Sequence, residues 1–290
     1  FENAAIVDIN RRLLYEADRD WTCPPARLDY RLHQLDGLGK VAQQLSNASE
    51  RWGFKDPRTL FTLPAWAAAV GECRLVGVHR NTLDIAKSLA RRDGFTHDQA
   101  LAIALAYAER LASAHRRLGF PIISFDVPPR EFLERTRSVA EALGLSWDDD
   151  AAERIYDPDL VHHRSSAPQH RVDEYLSAAA EQPIGQLAKF SAGTIVHTWD
   201  RLPSDSVEAL PRNLGPRYET ARSELIRRVL DRHPGPSVMA LLEEHPRPAP
   251  LAGFRTVFLD IDGLEDDNDS ARWSHVAAPE ILDTTPPDRV

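Results

Sequence analysis

The chain has 290 residues, enough to bury a substantial core, and a domain of about 200 residues plus further material is the natural expectation. Its hydrophobic content of 42% and charged content of 27% are those of an ordinary globular protein. A net charge of -9 counts against a nucleic-acid surface, which needs a dense basic face, but leaves room for one small phosphate pocket built from a few local cations.

The two cysteines, Cys23 and Cys73, have no ligand-like spacing with histidine, so no metal site is expected. Cys73 opens an apolar run and is read as a buried small hydrophobe. Apolar runs fall far short of the roughly 20 residues that cross a bilayer. No secretory signal opens the chain, and a reducing, cytoplasmic setting is expected. The chain starts at Phe1 and its single methionine is Met239, so an incomplete amino end is expected.

In chain order, Ile6, Ile9, Leu13 and Leu14 predict a helix over Phe1 to Ala17. Trp21 to Pro25 breaks it. Leu38, Val41, Ala42 and Leu45 predict a second helix over Gln34 to Glu50. Gly53-Phe54-Lys55 is a short extended entry. Pro57 suits the first turn of a helix running to Val70. Arg74 to Val78 reads as a buried parallel strand, and Asn81 or Thr82 caps a helix through Ala90. Thr96 caps a long Ala/Leu helix to Leu118. Pro121 to Phe125 is a second buried strand. Pro129 opens a helix to Leu143 that Gly144 ends, and Asp149-Asp150 marks another helix start. Strand, helix and strand in this order predict an α/β fold with a parallel sheet flanked by helices. Beyond Ser165 the texture changes. Helices are expected over Val172 to Ala180 and Gly215 to His233. A proline-dense stretch over 234–250 and an acidic end follow, so 165–234 reads as a helical extension and 235–290 as a weakly ordered tail.

Two clusters carry the candidate chemistry. The first is Arg80 with Ser88, in RNTLDIAKS. An Arg at a strand end reaches the carboxyl edge of a parallel sheet, where ligands bind, and its fork grips phosphate. Ser88 adds a hydroxyl donor if its face turns to the same anion. The plain alternative is a surface Arg and a helix Ser. The second cluster is Lys55-Asp56-Pro57-Arg58. It sets an ammonium beside a helix N-terminus, and both features attract an anion. Asp56 is read as a cap, while Arg58, opposed to the helix dipole, calls for an acidic partner.

The run GFKDPRTLFTLPAWAAAVGECRLVGVHRNTLDIAKSL resembles the middle of the PAPS-dependent sulfotransferase superfamily. Its bacterial and tyrosylprotein members share a Lys-Asp-Pro segment, an apolar strand, and Arg and Ser eight residues apart. FENAAIVDINRRLLYEADRDW and GFPIISFDVPPREFLERTRSVAEALGLSW resemble flanking parts of the bacterial members, so the resemblance spans Phe1 to Arg164. It implies a three-layer P-loop-like sheet. It implies that Arg80 and Ser88 hold the 3′-phosphate of 3′-phosphoadenosine 5′-phosphosulfate (PAPS), and that Lys55 lies near the transferring sulfuryl group. It implies Glu2 as the base, the alternative being a carboxylate favoured by a helix dipole. The histidine base of many cytosolic members is replaced by Pro57. The family's 5′-phosphosulfate loop is expected before Phe1, and the late Arg-Lys-Gly element is absent.

The resemblance thus implies sulfuryl transfer to a hydroxyl or amine of a small-molecule or peptide acceptor, with no metal, nucleic acid or membrane involved. The alternatives are a non-catalytic nucleotide-binding or interaction protein on the same fold, and a P-loop kinase, for which a Walker loop and a Mg²⁺-holding Asp are wanting. His162-His163-Arg164 either faces the cofactor or acceptor or is a polar loop. Asp260-Ile261-Asp262-Gly263 superficially resembles the nucleophile strand of haloacid-dehalogenase-like phosphatases. With 28 residues after Asp262 it is read as acidic tail. Trp52 and Trp66 are core residues or adenine stackers. Nothing in the sequence speaks to oligomeric state.

Overall fold

Eight residues, Glu72–His79, form the strand β2 on which the sheet is built. The computed structural model describes residues 3–17, 19–25, 28, 30, 32–156, 168, 170–202 and 254–260, of which 32, 33 and 254–260 are described by backbone path alone. Ahead of β2 come helices α1 (Ala4–Tyr15) and α2 (Leu32–Ala48), strand β1 (Arg51–Lys55) and helix α3 (Thr59–Val70). After it come α4 (Thr82–Asp93), α5 (His97–Leu118), β3 (Ile122–Ser124), α6 (Pro129–Ala142), α7 (Asp149–Ile155) and α8 (Arg171–Ala180). The short strand β4 (Phe190–Ser191), α9 (Ala192–Trp199) and β5 (Phe254–Asp260) complete the described elements. The fold is mixed α/β and mostly helical. Among the described residues no helix is long and apolar enough to cross a membrane.

The local signals act as sequence physics requires. Asn81 caps α4 by accepting from the Leu83 N–H. Thr96 and Gln99 form a reciprocal capping box at the start of α5. Asp148 caps α7 through the Ala151 N–H. Gly144, just past α6, takes φ 69°, a left-handed value that glycine adopts without steric cost. The helix expected to start at Pro57 begins instead at Thr59, because Asp56 and Pro57 form a turn in which the Thr59 and Leu60 N–H groups reach the Asp56 and Pro57 carbonyls.

The strands lie in the order β1-β5-β2-β3, all parallel, with β4 pairing antiparallel to the start of β2. Along β2 successive side chains point to opposite faces. Leu75 joins the large core with Leu60, Trp66, Tyr107 and Leu111, and Val76 joins a smaller cluster with Ile123, Val139 and Leu143. Gly77 lets α5 and β3 close on the strand, since a Cβ there would lie 2.4 Å from Ile122 Cδ1 and 3.1 Å from Leu111 Cδ1.

Two expectations need correction. Residues 254–260, read as part of a weakly ordered acidic tail, form β5, and β5 pairs with both β1 and β2. A β-branched and aromatic run, Phe254 to Leu259, has the composition of a buried parallel strand, and its acidic neighbours hid that. The helices of 171–202, read as an extension, pack into the main core through Val172, Leu176, Ile195 and Trp199. The expected helix over Gly215 to His233, the proline-dense stretch and residues 261–290 lie outside the described residues.

Candidate functional site

Parallel strands present their carboxyl ends together, and ligands of open α/β sheets bind at that edge. β1 ends there at Lys55, and β2 ends at His79, immediately before Arg80. β5 lies between them. Its Phe258 is in register with both Lys55 and Val76, and its Asp260 is in register with Val78. Two strand spacings and a four-residue rise place the Cα atoms of Lys55 and Arg80 roughly 16 Å apart. That separation is too wide for one phosphate between two Cα atoms, but within reach of two long cationic side chains holding two anionic groups of one ligand.

The turn after Lys55 is held by a buried polar network. Asp56 is fully buried and accepts from the Arg58 N–H at 2.9 Å and from Arg58 Nη1 at 3.0 Å. The acidic partner expected for Arg58 is therefore Asp56, and this pair is itself buried. Asn10 of α1 donates to Asp56 Oδ2 at 2.7 Å and to Thr59 Oγ1 at 3.3 Å. Its Oδ1 accepts from Thr62 Oγ1 at 2.7 Å and from Trp66 Nε1 at 2.8 Å. The α3 N-terminus is satisfied internally and adds little pull on an external anion, and among the described residues of this turn Lys55 is the cation outside the Asp56–Arg58 pair. Trp66, fully buried and bonded to Asn10, belongs to the core and is no adenine platform. Trp52 is half-buried, donates to Ser46 Oγ at 2.8 Å and stacks at 6.4 Å on Phe54.

Sequence reasoning missed Asn10. The signal was there: Asn10 sits between Ile6 and Leu13 on the buried stripe of α1, where an apolar residue is the rule. A polar side chain at such a position must find partners, and here it finds four.

Arg80 is buried to 8% exposure, and its guanidinium carbon lies 5.5 Å from the Phe125 ring centroid. Around it the start of α4 is also internally satisfied. The Asn81 N–H donates to Asp126, the Thr82 N–H to Asp173 at 3.1 Å, and the Leu83 N–H to the Asn81 side chain at 3.0 Å. Ser88 lies two turns along α4, half-buried, on the side of the helix that carries Asn81. No hydrogen bond joins Ser88 to Arg80, and the two share a helix side rather than a contact. Glu2 and His162-His163-Arg164 lie outside the described residues.

Beneath Arg80 sits a second group that the sequence did not reveal. His79 is fully buried, with Nε2 3.8 Å from Asp173 Oδ1. Burial pulls its pKa down to about 3, so the ring is neutral and the approach to Asp173 is no ion pair at neutral pH. Neither ring nitrogen has a hydrogen-bond partner. Burial pushes Asp173 up to about 6, against the pull of its two hydrogen bonds from Thr82, with the charges of Asp84 and Glu174 adding to the rise. Among the described residues no group of three or more His, Cys, Asp or Glu side chains is placed to hold a metal ion.

Comparison of the chain with protein-family models, with curated proteins and with solved structures returns no match.

Proposed function

We propose that the chain carries the nucleotide wall of a PAPS-dependent sulfotransferase built on a three-layer, P-loop-like parallel sheet. The observation that carries this reading is the placement of Lys55 and Arg80 at the carboxyl ends of β1 and β2, two strands that run parallel in one sheet. Two cations on separate strand ends suit a ligand with two separated anionic groups, and PAPS has a 3′-phosphate and a 5′-phosphosulfate.

In this reading Arg80, steadied against Phe125, holds the 3′-phosphate, and Ser88 donates to the same group. Lys55 faces the sulfuryl end. An acceptor oxygen or nitrogen bonds to sulfur as the bond from sulfur to the bridging oxygen breaks. The electron pair of that bond leaves on the 5′-phosphate of adenosine 3′,5′-bisphosphate. The Lys55 ammonium offsets the charge that grows on the bridging oxygen. The acceptor proton passes to a carboxylate, for which Glu2 is our candidate.

A second reading, a nucleotide-binding protein without transfer activity, draws on β5. Its Asp260 is an acidic residue at the last register position of β5, paired with Val78 of β2, in the strand that lies between the two cationic strands. Calorimetry with adenosine 3′,5′-bisphosphate tests the shared part of both readings. Binding that Arg80→Ala weakens by 10-fold or more supports the site, and absent binding, or equal binding by Arg80→Ala, overturns it. Release of the bisphosphate from PAPS in the presence of a phenol separates the transferase from the second reading.

A further inference from the structure

Helix α9 runs alongside α3 in the opposite sense. Its first residue, Ala192, donates its N–H to the Gly71 carbonyl at the far end of α3. Its last, Trp199, donates Nε1 to the Leu60 carbonyl at the near end, 2.9 Å away. Trp199 therefore stands at the end of α3 that follows Lys55. Here a cavity of about 320 Å³ opens between α3, α5 and α9. Phe61, Pro64 and Trp199 give it apolar walls, and Arg110 of α5 reaches it from the core. Tyr30 and the exposed Asp200 also line it.

Arg110 is the unusual member. It is 7% exposed in the middle of a helix whose neighbours Ala108, Leu111 and Ala112 are core residues. Its guanidinium carbon lies 5.3 Å from the Phe61 ring centroid, so an aromatic face steadies one side of the plane. Burial lowers its pKa to about 10, still well above neutrality, so the cation persists. A fixed, largely desolvated guanidinium beside aromatic walls suits a carboxylate or sulfonate on a flat apolar body. Asp200 at the same cavity disfavours a second negative charge on the ligand. Burial and the Asp200 charge both raise the Tyr30 pKa, which keeps its hydroxyl neutral and available as a donor or acceptor.

We infer that this cavity binds a monoanionic aromatic or alicyclic acid, its anionic group on Arg110 and its ring between Phe61 and Trp199. Its role as the acceptor pocket rests on the transferase reading above, because the cavity lies at the Lys55 end of α3. The binding itself does not depend on that reading.

The test uses the full 290-residue chain, with 1-naphthoate as the anionic probe and 1-naphthamide as its neutral counterpart, titrated by calorimetry. Naphthoate is expected to bind at least 10-fold more tightly than naphthamide. Arg110→Gln is expected to abolish that preference, and Val196→Trp, which fills the cavity from α9, is expected to weaken both probes. Circular dichroism melts confirm folding, and Val196→Trp keeps the test decisive if Arg110→Gln does not fold. Equal binding of the two probes, a preference retained in Arg110→Gln, or binding unaffected by Val196→Trp overturns the inference. Adenosine 3′,5′-bisphosphate is titrated in parallel. If it fails to bind while naphthoate binds through Arg110, the nucleotide reading falls and the anion pocket stands.

Discussion

Asn10 Nδ2 lies 2.7 Å from Asp56 Oδ2, and through this bond the first helix grips the turn that follows Lys55. Both residues are fully buried. The same amide also donates to Thr59 and receives Thr62 and Trp66, so one side chain ties α1 to four positions of the turn and of α3. Asn10→Leu approximates the branched shape without the amide and leaves Asp56, Thr59, Thr62 and Trp66 each short of a partner. A cost of about 2–4 kcal/mol is expected, read as a lower urea midpoint with an unchanged slope. Because Asp56 also holds Arg58, the variant should weaken transfer activity more than nucleotide binding. An unchanged midpoint would show the network to be dispensable.

The Arg58–Asp56 pair makes a second, independent prediction. Both side chains are almost fully buried. Removing one partner strands a buried charge, so Arg58→Leu should cost about 3–5 kcal/mol. Arg58→Leu combined with Asp56→Asn should recover part of that loss. If the double variant is as unstable as the sum of the singles, the pair is not acting as a unit.

Lys55 and Arg80 are assigned different tasks, and their variants should separate accordingly. Arg80→Ala is expected to raise the dissociation constant for adenosine 3′,5′-bisphosphate by about 10- to 100-fold. Lys55→Ala is expected to change that constant little and to slow transfer by about 100-fold or more. Matching losses in both variants, or a binding loss confined to Lys55→Ala, would contradict the division.

The buried pair beneath Arg80 predicts an unusual pH profile. Unfolded His79, at its ordinary value of 6.5, takes up a proton that the folded ring refuses until about pH 3. Stability from this group is therefore full above pH 6.5 and is lost as pH falls toward 3. Asp173 acts in the opposite sense. Its folded value of about 6 lies above the ordinary 3.8, so its contribution is full below 3.8 and is lost as pH rises to 6. Between 3.8 and 6 the two slopes, each about 1.4 kcal/mol per pH unit, oppose one another. Asp173→Asn, which keeps an acceptor for Thr82, should unmask the His79 slope and make acid unfolding steeper. His79→Leu should give up no hydrogen bond and should shift the acid midpoint down. Urea melts at pH 4, 5 and 7 decide this, and parallel profiles for the two variants would refute it.

Strand β5 sits between β1 and β2, so its loss opens both of their inner edges. A chain ended before Phe254 is expected to melt well below the full chain and to self-associate. Amide exchange should accelerate along Arg51–Lys55 and Glu72–His79. Unchanged protection of those two strands would show that β5 does not hold the sheet together.

The sequence by itself determined the local structure of this protein. Apolar spacing placed α1, α2 and α5, caps such as Asn81 and Thr96 set where helices begin, and Gly144 set where α6 stops. These features depend on residues within a turn or two of one another, so a single stretch contains the whole cause. Lys55 and Arg80 were legible for the same reason, as cations following short apolar strands. Tertiary structure alone decided that the strand between them is β5, nearly two hundred residues on from β2, because parallel pairing is set by what fills the space beside a strand and not by proximity in the chain. It also decided that Asn10 faces Asp56, that His79 is sealed against Asp173, and that α9 folds back along α3 to frame Arg110. Each is a contact between distant segments whose partners become defined only when the core closes.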